Sequence, residues 1–165
     1  MQANIVINLL KDGRTKKSFT KPHVLVDNII DLIGVSHIDE YNIEYYSVDI
    51  YLPENNLMIE VMGDYWHTNP LSKYREPKNK PQKDRIPKDK AKHTYVKNKF
   101  GIEILYLWES DIMNYPDLCK ELIKLYIKNN GVLEDYNSFN YYMYDDKIEL
   151  SDIIVKPLFL LQDMA

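Results

Sequence analysis

The stretch SVDIYLPENNLMIEVMGDYWH, Ser47 to His67, decides how this chain folds. Val48, Ile50 and Leu52 alternate with Ser47, Asp49 and Tyr51, and the turn-prone Pro53-Glu54-Asn55-Asn56 leads to a second apolar run from Leu57. The pattern predicts a β-hairpin with strands over 46–52 and 57–63. Successive strand side chains point to opposite faces, so Asp49 turns away from Val48 and Ile50, and Glu60 from Ile59 and Val61. Acids are ordinary on a solvated hairpin face, whereas burying one in an apolar strand is costly unless something pairs with it. A divalent cation is such a partner, since Mg²⁺ is held by one or two carboxylates together with waters and phosphate oxygens. Gly63 ends the second strand, and Asp64, Tyr65, Trp66 and His67 follow at once. Two carboxylates, two large aromatics and a histidine thus converge on one strand exit, the parts of an acidic site for phosphodiester cleavage.

Charge is distributed unevenly. The 165 residues carry 21 basic and 25 acidic side chains. Between Lys73 and Lys99, however, eleven Lys and Arg stand against three acids. Such a segment, punctuated by Pro70, Pro77, Pro81 and Pro87, reads as a loop that does not fold on itself and attracts a polyanion. Phosphate contacts of this kind give salt-dependent, sequence-independent affinity. Lys73, Arg75, Lys78, Lys80, Lys83, Arg85, Lys88, Lys90 and Lys92 are therefore candidate DNA contacts, and the plain alternative is a solubilising loop. Asp89 stands out as an acid among Lys88, Lys90 and Lys92.

At 45% hydrophobic content the chain is long enough for one domain with a core of its own. The single Cys119 excludes an intramolecular disulfide and a cysteine-rich zinc site, and it reads as a buried thiol in a reducing, cytoplasmic setting. No signal peptide is apparent, and no apolar run approaches the ~20 residues of a membrane span.

Around the hairpin, a helix is expected from Pro22, capped by Thr20, to Gly34, burying Leu25, Ile29, Ile30, Leu32 and Ile33. A second should run from about Lys88 to Phe100. Ile102 to Trp108 read as a strand central in the sheet and covered on both faces. A further helix opens at Pro116 and ends at Gly131, and a small hairpin pairs 140–144 with 147–150 around Asp145-Asp146. The order α, β, β, α, β, α describes an α/β fold, a mixed sheet flanked by helices. Residues 1–19 form an N-terminal segment, 20–131 the core, and 132–165 a tyrosine-rich extension packed on it.

Thr20-Lys21-Pro22 opening a helix, Val48-Asp49-Ile50, Gly63-Asp64-Tyr65-Trp66-His67, Asp89 opening a helix, and Gly101 followed by Ile104-Leu105-Tyr106-Leu107-Trp108-Glu109 together resemble the very-short-patch repair endonucleases. They are also similar to the phage and intron homing endonucleases within the same PD-(D/E)xK nuclease superfamily. The resemblance covers about residues 20–112. It implies a restriction-endonuclease-like fold and a Mg²⁺- or Mn²⁺-dependent endonuclease acting on double-stranded DNA, with a homodimer suiting a two-fold symmetric target. By position, Asp49 matches the metal-binding aspartate, with Glu60 and the Val61 carbonyl beside it. His67 matches the histidine that activates water, Asp89 an acid opening the next helix, and Tyr65 and Trp66 aromatics that wedge between bases.

Three departures stand out. His23 replaces the first-helix glutamate and enters the catalytic candidates in its place. Met62 occupies the position of the superfamily lysine, and the cysteine-rich zinc cluster of the repair enzymes is missing, which favours the homing-type branch. Four readings of function follow: a metal-dependent endonuclease, a mismatch-type nicking enzyme, a noncatalytic DNA-binding module, and an interaction domain using Tyr136 to Tyr144.

Overall fold

Thr20 and Gly34 bracket the first helix through their own chemistry. In a computed structural model that describes residues 19–69 and 72–132, with the backbone of 141–144 and 147–150, α1 spans Lys21–Ile33. The Thr20 hydroxyl accepts the His23 amide, Pro22 occupies the first turn where its missing N–H costs nothing, and Gly34 closes the helix at φ +85°. Val24, Leu25, Val26, Ile29 and Ile30 are buried as a stripe. Leu32, expected inside, is 57% exposed because the periodicity of the stripe carries it to the far side.

The hairpin forms as its alternation requires. Strands β1 (Ile38–Ile43), β2 (Tyr46–Leu52) and β3 (Leu57–Met62) run antiparallel in sequence, and β4 (Leu105–Trp108) joins β3 in parallel. The sheet order is β1-β2-β3-β4. Ile50 pairs with Ile59, so the next rung sets Asp49 opposite Glu60. In β3 every residue but Val61 is buried, which places helices against both faces of this strand. β4 is wholly buried, as expected, but it starts at Leu105 and lies at an edge of the described sheet instead of its centre.

A parallel pair needs a long crossover, and α2 (Lys80–Phe100) provides it. The helix starts eight residues before its expected start, so half of the basic segment is regular structure and not loop. Asn79 and Gln82 form a reciprocal capping box, and Pro81 falls in the first turn where proline is tolerated. Pro87 lies inside and removes one internal hydrogen bond. Burial of Gln82, Ile86, Asp89, His93 and Val96, spaced four and three apart, holds the helix on the sheet despite it. Its C-terminal end is tied down by Glu44 in the β1–β2 turn, which pairs with both Tyr95 and Lys99.

Two helices complete the core: α3 (Glu109–Asn114), not foreseen, and α4 (Pro116–Lys128). Cys119 is fully buried, and burial pushes its thiol pKa up, as an inert core residue requires. Tyr126, also fully buried, accepts the Met58 amide at 3.2 Å and lies 3.0 Å from the Met58 carbonyl and 2.6 Å from that of Glu103. Tyr126→Phe strands these groups out of water and is expected to lower stability by about 1–3 kcal/mol in urea unfolding, with unchanged m-value.

Strands β5 (Tyr141–Tyr144) and β6 (Lys147–Leu150) pair as the predicted small hairpin, with Asp145-Asp146 outside the described residues. Residues 1–18, and the rest of the tyrosine-rich extension from 133 onward, also lie outside them. No helix among the described residues is long and apolar enough to cross a membrane.

Candidate active site

At Asp49 the β2–β3 ladder gives way to a side chain. The last backbone pair is Ile50 with Ile59, and one rung further the Asp49 carboxylate accepts the Val61 amide through Oδ2 at 2.8 Å. Glu60, across from it, is only 4% exposed. Its partner comes from α2: the Lys92 ammonium donates to Glu60 Oε1 at 2.7 Å and to the Ser47 carbonyl at 3.1 Å. Lys92 is thus engaged with an acid of the site instead of facing an incoming phosphate freely. Met62 is buried in the core. The ammonium that reaches Glu60 comes from the crossover helix.

Burial and the neighbouring Asp49 charge push the Glu60 carboxyl up to about 8, with Lys92 opposing them. A glutamate in the unfolded chain ionises near 4.3. Between these values the unfolded chain has lost its proton while the folded chain keeps it, so stability falls as pH rises through this window. Chelator-treated protein is expected to lose stability between pH 5 and 8 with a slope approaching about 1.4 kcal/mol per unit from this group. Glu60→Gln should flatten that part of the profile in urea melts.

The second pair lies on the strand exit and on α2. His67 Nδ1 donates to Asp89 Oδ2 at 2.6 Å, with Asp89 buried and His67 largely so. That bond fixes the ring and leaves Nε2 as a proton acceptor. The turn carrying His67 is held at several points. Asp64 accepts from Asn69 and Ser110 through Oδ1 and donates its amide to Glu109. The carbonyl of Tyr65 accepts from Gln82 and its hydroxyl from Asn79, both at the start of α2. Trp66 stands edge-on to Tyr65 and is 54% exposed. A cleft of about 430 Å³ opens here, with Val61, Trp66, His67, Arg85 and Glu109 in its walls. Arg85 and Glu109 were legible only as a basic residue and a motif end, because the turn brings them together across the chain.

Lys73, Arg75, Lys78, Lys80, Lys83, Arg85 and Lys88 are exposed along the approach to and outer side of α2, while Lys90 and Lys92 are partly buried. Lys80 pairs with Asp84 on the surface.

His23 hydrogen-bonds with a third group and not with either pair. Its Nε2 meets Asp39 Oδ1 at 3.2 Å, and Asp27 and His37 close the group. Hydrogen bonding with Asp39 lifts His37 to about 9, and burial lifts Asp27 to about 7. Burial would raise Asp39, but hydrogen bonds with His23 and His37 hold it below the usual carboxylate range. The charge of Asp49 reaches His23 as well. The signals for this cluster were the i, i+4 pair His23/Asp27 and the His37-x-Asp39 step into a strand.

The fold is similar to that of a homing endonuclease. Its catalytic domain, that of I-Bth0305I, shares 27% identity at a TM-score of 0.51, and the match covers 68% of this chain and 98% of that domain. Protein-family models and curated protein sequences give no match. The structural likeness supports a nuclease function, carried by a mixed sheet with helices on it.

Proposed function

We propose that the chain is a metal-dependent DNA endonuclease of the homing type, related to the very-short-patch branch of the PD-(D/E)xK superfamily. The observation that carries this is the paired arrangement on one hairpin and its exit: Asp49 opposite Glu60, then the Asp89-oriented His67 in the wall of a cleft. Two carboxylates on one rung are a donor set that fits Mg²⁺ or Mn²⁺; Asp49 and Glu60 would hold the ion with the Val61 carbonyl, and a proton or the Lys92 ammonium otherwise offsets the two acids. Bound there, such an ion supplies charge stabilisation for a phosphoryl oxygen.

The protein's own groups do the rest. His67 Nε2 takes the proton of the attacking water while Asp89 keeps the ring oriented and stabilises its charged form. The exposed lysines and arginines from Lys73 to Lys88 hold the phosphate backbone, and Tyr65 and Trp66 meet the bases. Trp66, exposed beside His67, is the stronger wedge, because Tyr65 is fastened by Asn79 and Gln82.

A labelled duplex, incubated with Mg²⁺, Mn²⁺ or EDTA and resolved on a denaturing gel, tests the reading. Cleavage with either metal and none in EDTA is expected. Intact DNA under all conditions, with a salt-sensitive gel shift, would assign the chain to noncatalytic DNA binding. The capture of Glu60 by Lys92 is the feature that favours that second reading.

A further inference from the structure

The cleft beside His67 carries a cation that neither acid pair uses. Among the described residues Arg85 is the only lysine or arginine in its wall, which it shares with Val61, Trp66, His67 and Glu109. The periodicity of α2 puts it there. Gln82, Ile86, Asp89, His93 and Val96 form the buried stripe, and Arg85 lies one turn before Asp89. Residues four apart share a helix face. The guanidinium therefore leaves α2 on the side from which Asp89 reaches the His67 ring.

Other cations of α2 already have acidic partners. Lys80 pairs with Asp84, Lys92 with Glu60, Lys97 with Glu103 and Lys99 with Glu44. The Arg85 guanidinium has no hydrogen bond or ion pair among the described residues. Glu109, the acid in the same wall, accepts the Asp64 amide instead. An unpaired cation in a concave wall attracts an anion strongly, because the surrounding low-dielectric protein focuses its field. The planar fork of a guanidinium matches two oxygens of one phosphate, which the point charge of an ammonium does not.

The neighbouring groups indicate which anion. His67 is held through Nδ1, so Nε2 is its open acceptor, and the amide of Val61 steadies Asp49. An anion on Arg85 thus lies beside a proton acceptor and beside the strand that carries the candidate metal ligands. The cleft, at about 430 Å³, is the size of a small-ligand site, which admits one backbone unit and not the width of a duplex.

We propose that Arg85 grips the phosphodiester group that is cut, which makes the cleft a subsite for a single backbone phosphate and Arg85 a catalytic residue. The identity of the anion rests on the nuclease reading; the place of the guanidinium in the wall does not. As His67 takes the proton of the attacking water, negative charge builds on the phosphoryl oxygens, and the guanidinium binds them more tightly in the transition state than in the bound substrate.

Two measurements on the full chain test the proposal. Arg85 is exposed, so its substitution leaves the core intact. On supercoiled plasmid with Mg²⁺ or Mn²⁺ and saturating protein, Arg85→Ala is expected to slow cleavage about 10²–10³-fold, while gel-shift affinity stays within a few-fold of wild type. Arg85→Lys should restore only part of the rate. A saturating rate equal to wild type, with the loss confined to affinity, would overturn the proposal and leave Arg85 an ordinary backbone contact. The second readout needs no metal: NMR in EDTA at constant pH. The chain has three arginines, Arg14, Arg75 and Arg85, so the Nε–H signals are few and Arg85→Lys assigns the one from the cleft. A short mixed-sequence duplex should shift that signal together with those of the His67 ring. A duplex that leaves them in place overturns the subsite, as does a shift with inorganic phosphate and none with duplex, which marks a site for free phosphate. Wild type that cuts nothing removes the nuclease reading and the catalytic role with it. The Arg85 and His67 signals then decide the subsite alone: a joint shift with duplex keeps it, and unmoved signals remove it.

Discussion

Asp49→Ala is expected to reduce metal-dependent DNA cleavage by at least about 10³-fold while leaving the gel-shift affinity within a few-fold of wild type. A bound divalent ion contributes several kcal/mol of charge stabilisation to phosphoryl transfer, and each 1.4 kcal/mol lost is about tenfold in rate. Asp49 is the better placed of the two acids to bind such an ion. It is partly exposed, and its Oδ2 is steadied by the Val61 amide. Glu60, in contrast, is buried and already held by Lys92. DNA affinity rests on a different set of groups, the exposed basic side chains from Lys73 to Lys88, so binding and cleavage should separate cleanly in this variant. Single-turnover rates on a labelled duplex, beside gel shifts of the same preparation, measure both. Retention of wild-type cleavage removes Asp49 from the site.

His67→Ala is expected to slow cleavage by about 10²–10⁴-fold, the ordinary contribution of a positioned general base. Asp89 does its work through the imidazole, to which it is bonded at 2.6 Å. Asp89→Asn should therefore slow wild-type protein by disturbing the tautomer and charge of His67, and add little in a His67→Ala background. Residues that act as a unit show this lack of additivity. A double variant much slower than His67→Ala alone gives Asp89 a separate role, for example at a second metal ion.

The hairpin, the caps of α1 and the small C-terminal hairpin were readable because each rests on local chemistry: period-two alternation, a Thr cap with Pro in the first turn, a Gly at positive φ. The mixed α/β architecture followed from them. The start of α2 was hidden because Pro81 and Pro87 look like loop punctuation. One of them sits where helices accept proline, and the other is overridden by packing of Ile86, Asp89, His93 and Val96. β1, Ile-Asp-Glu-Tyr-Asn-Ile, escaped notice because an edge strand can be mostly polar and carries no continuous apolar run.

Within the candidate site, Asp49, Glu60, His67 and Asp89 were each identifiable in sequence, and the fold joins them as two pairs. The Lys92–Glu60 contact spans 32 residues and depends on the rotation of α2, which periodicity alone does not reveal when half the helix is read as loop. His23, a catalytic candidate in the sequence, hydrogen-bonds with Asp39 beside Asp27 and His37, a contact hidden because Asp39 comes from the strand that was not foreseen.

The most direct test is supercoiled plasmid incubated with wild type, Asp49→Ala and His67→Ala, each with Mg²⁺, with Mn²⁺ and with EDTA. Nicked or linear product from wild type with metal, none in EDTA, and loss of product in both variants with DNA binding intact is the predicted result. Binding without metal-dependent product from wild type, or undiminished cleavage by either variant, would contradict a nuclease centred on Asp49 and His67.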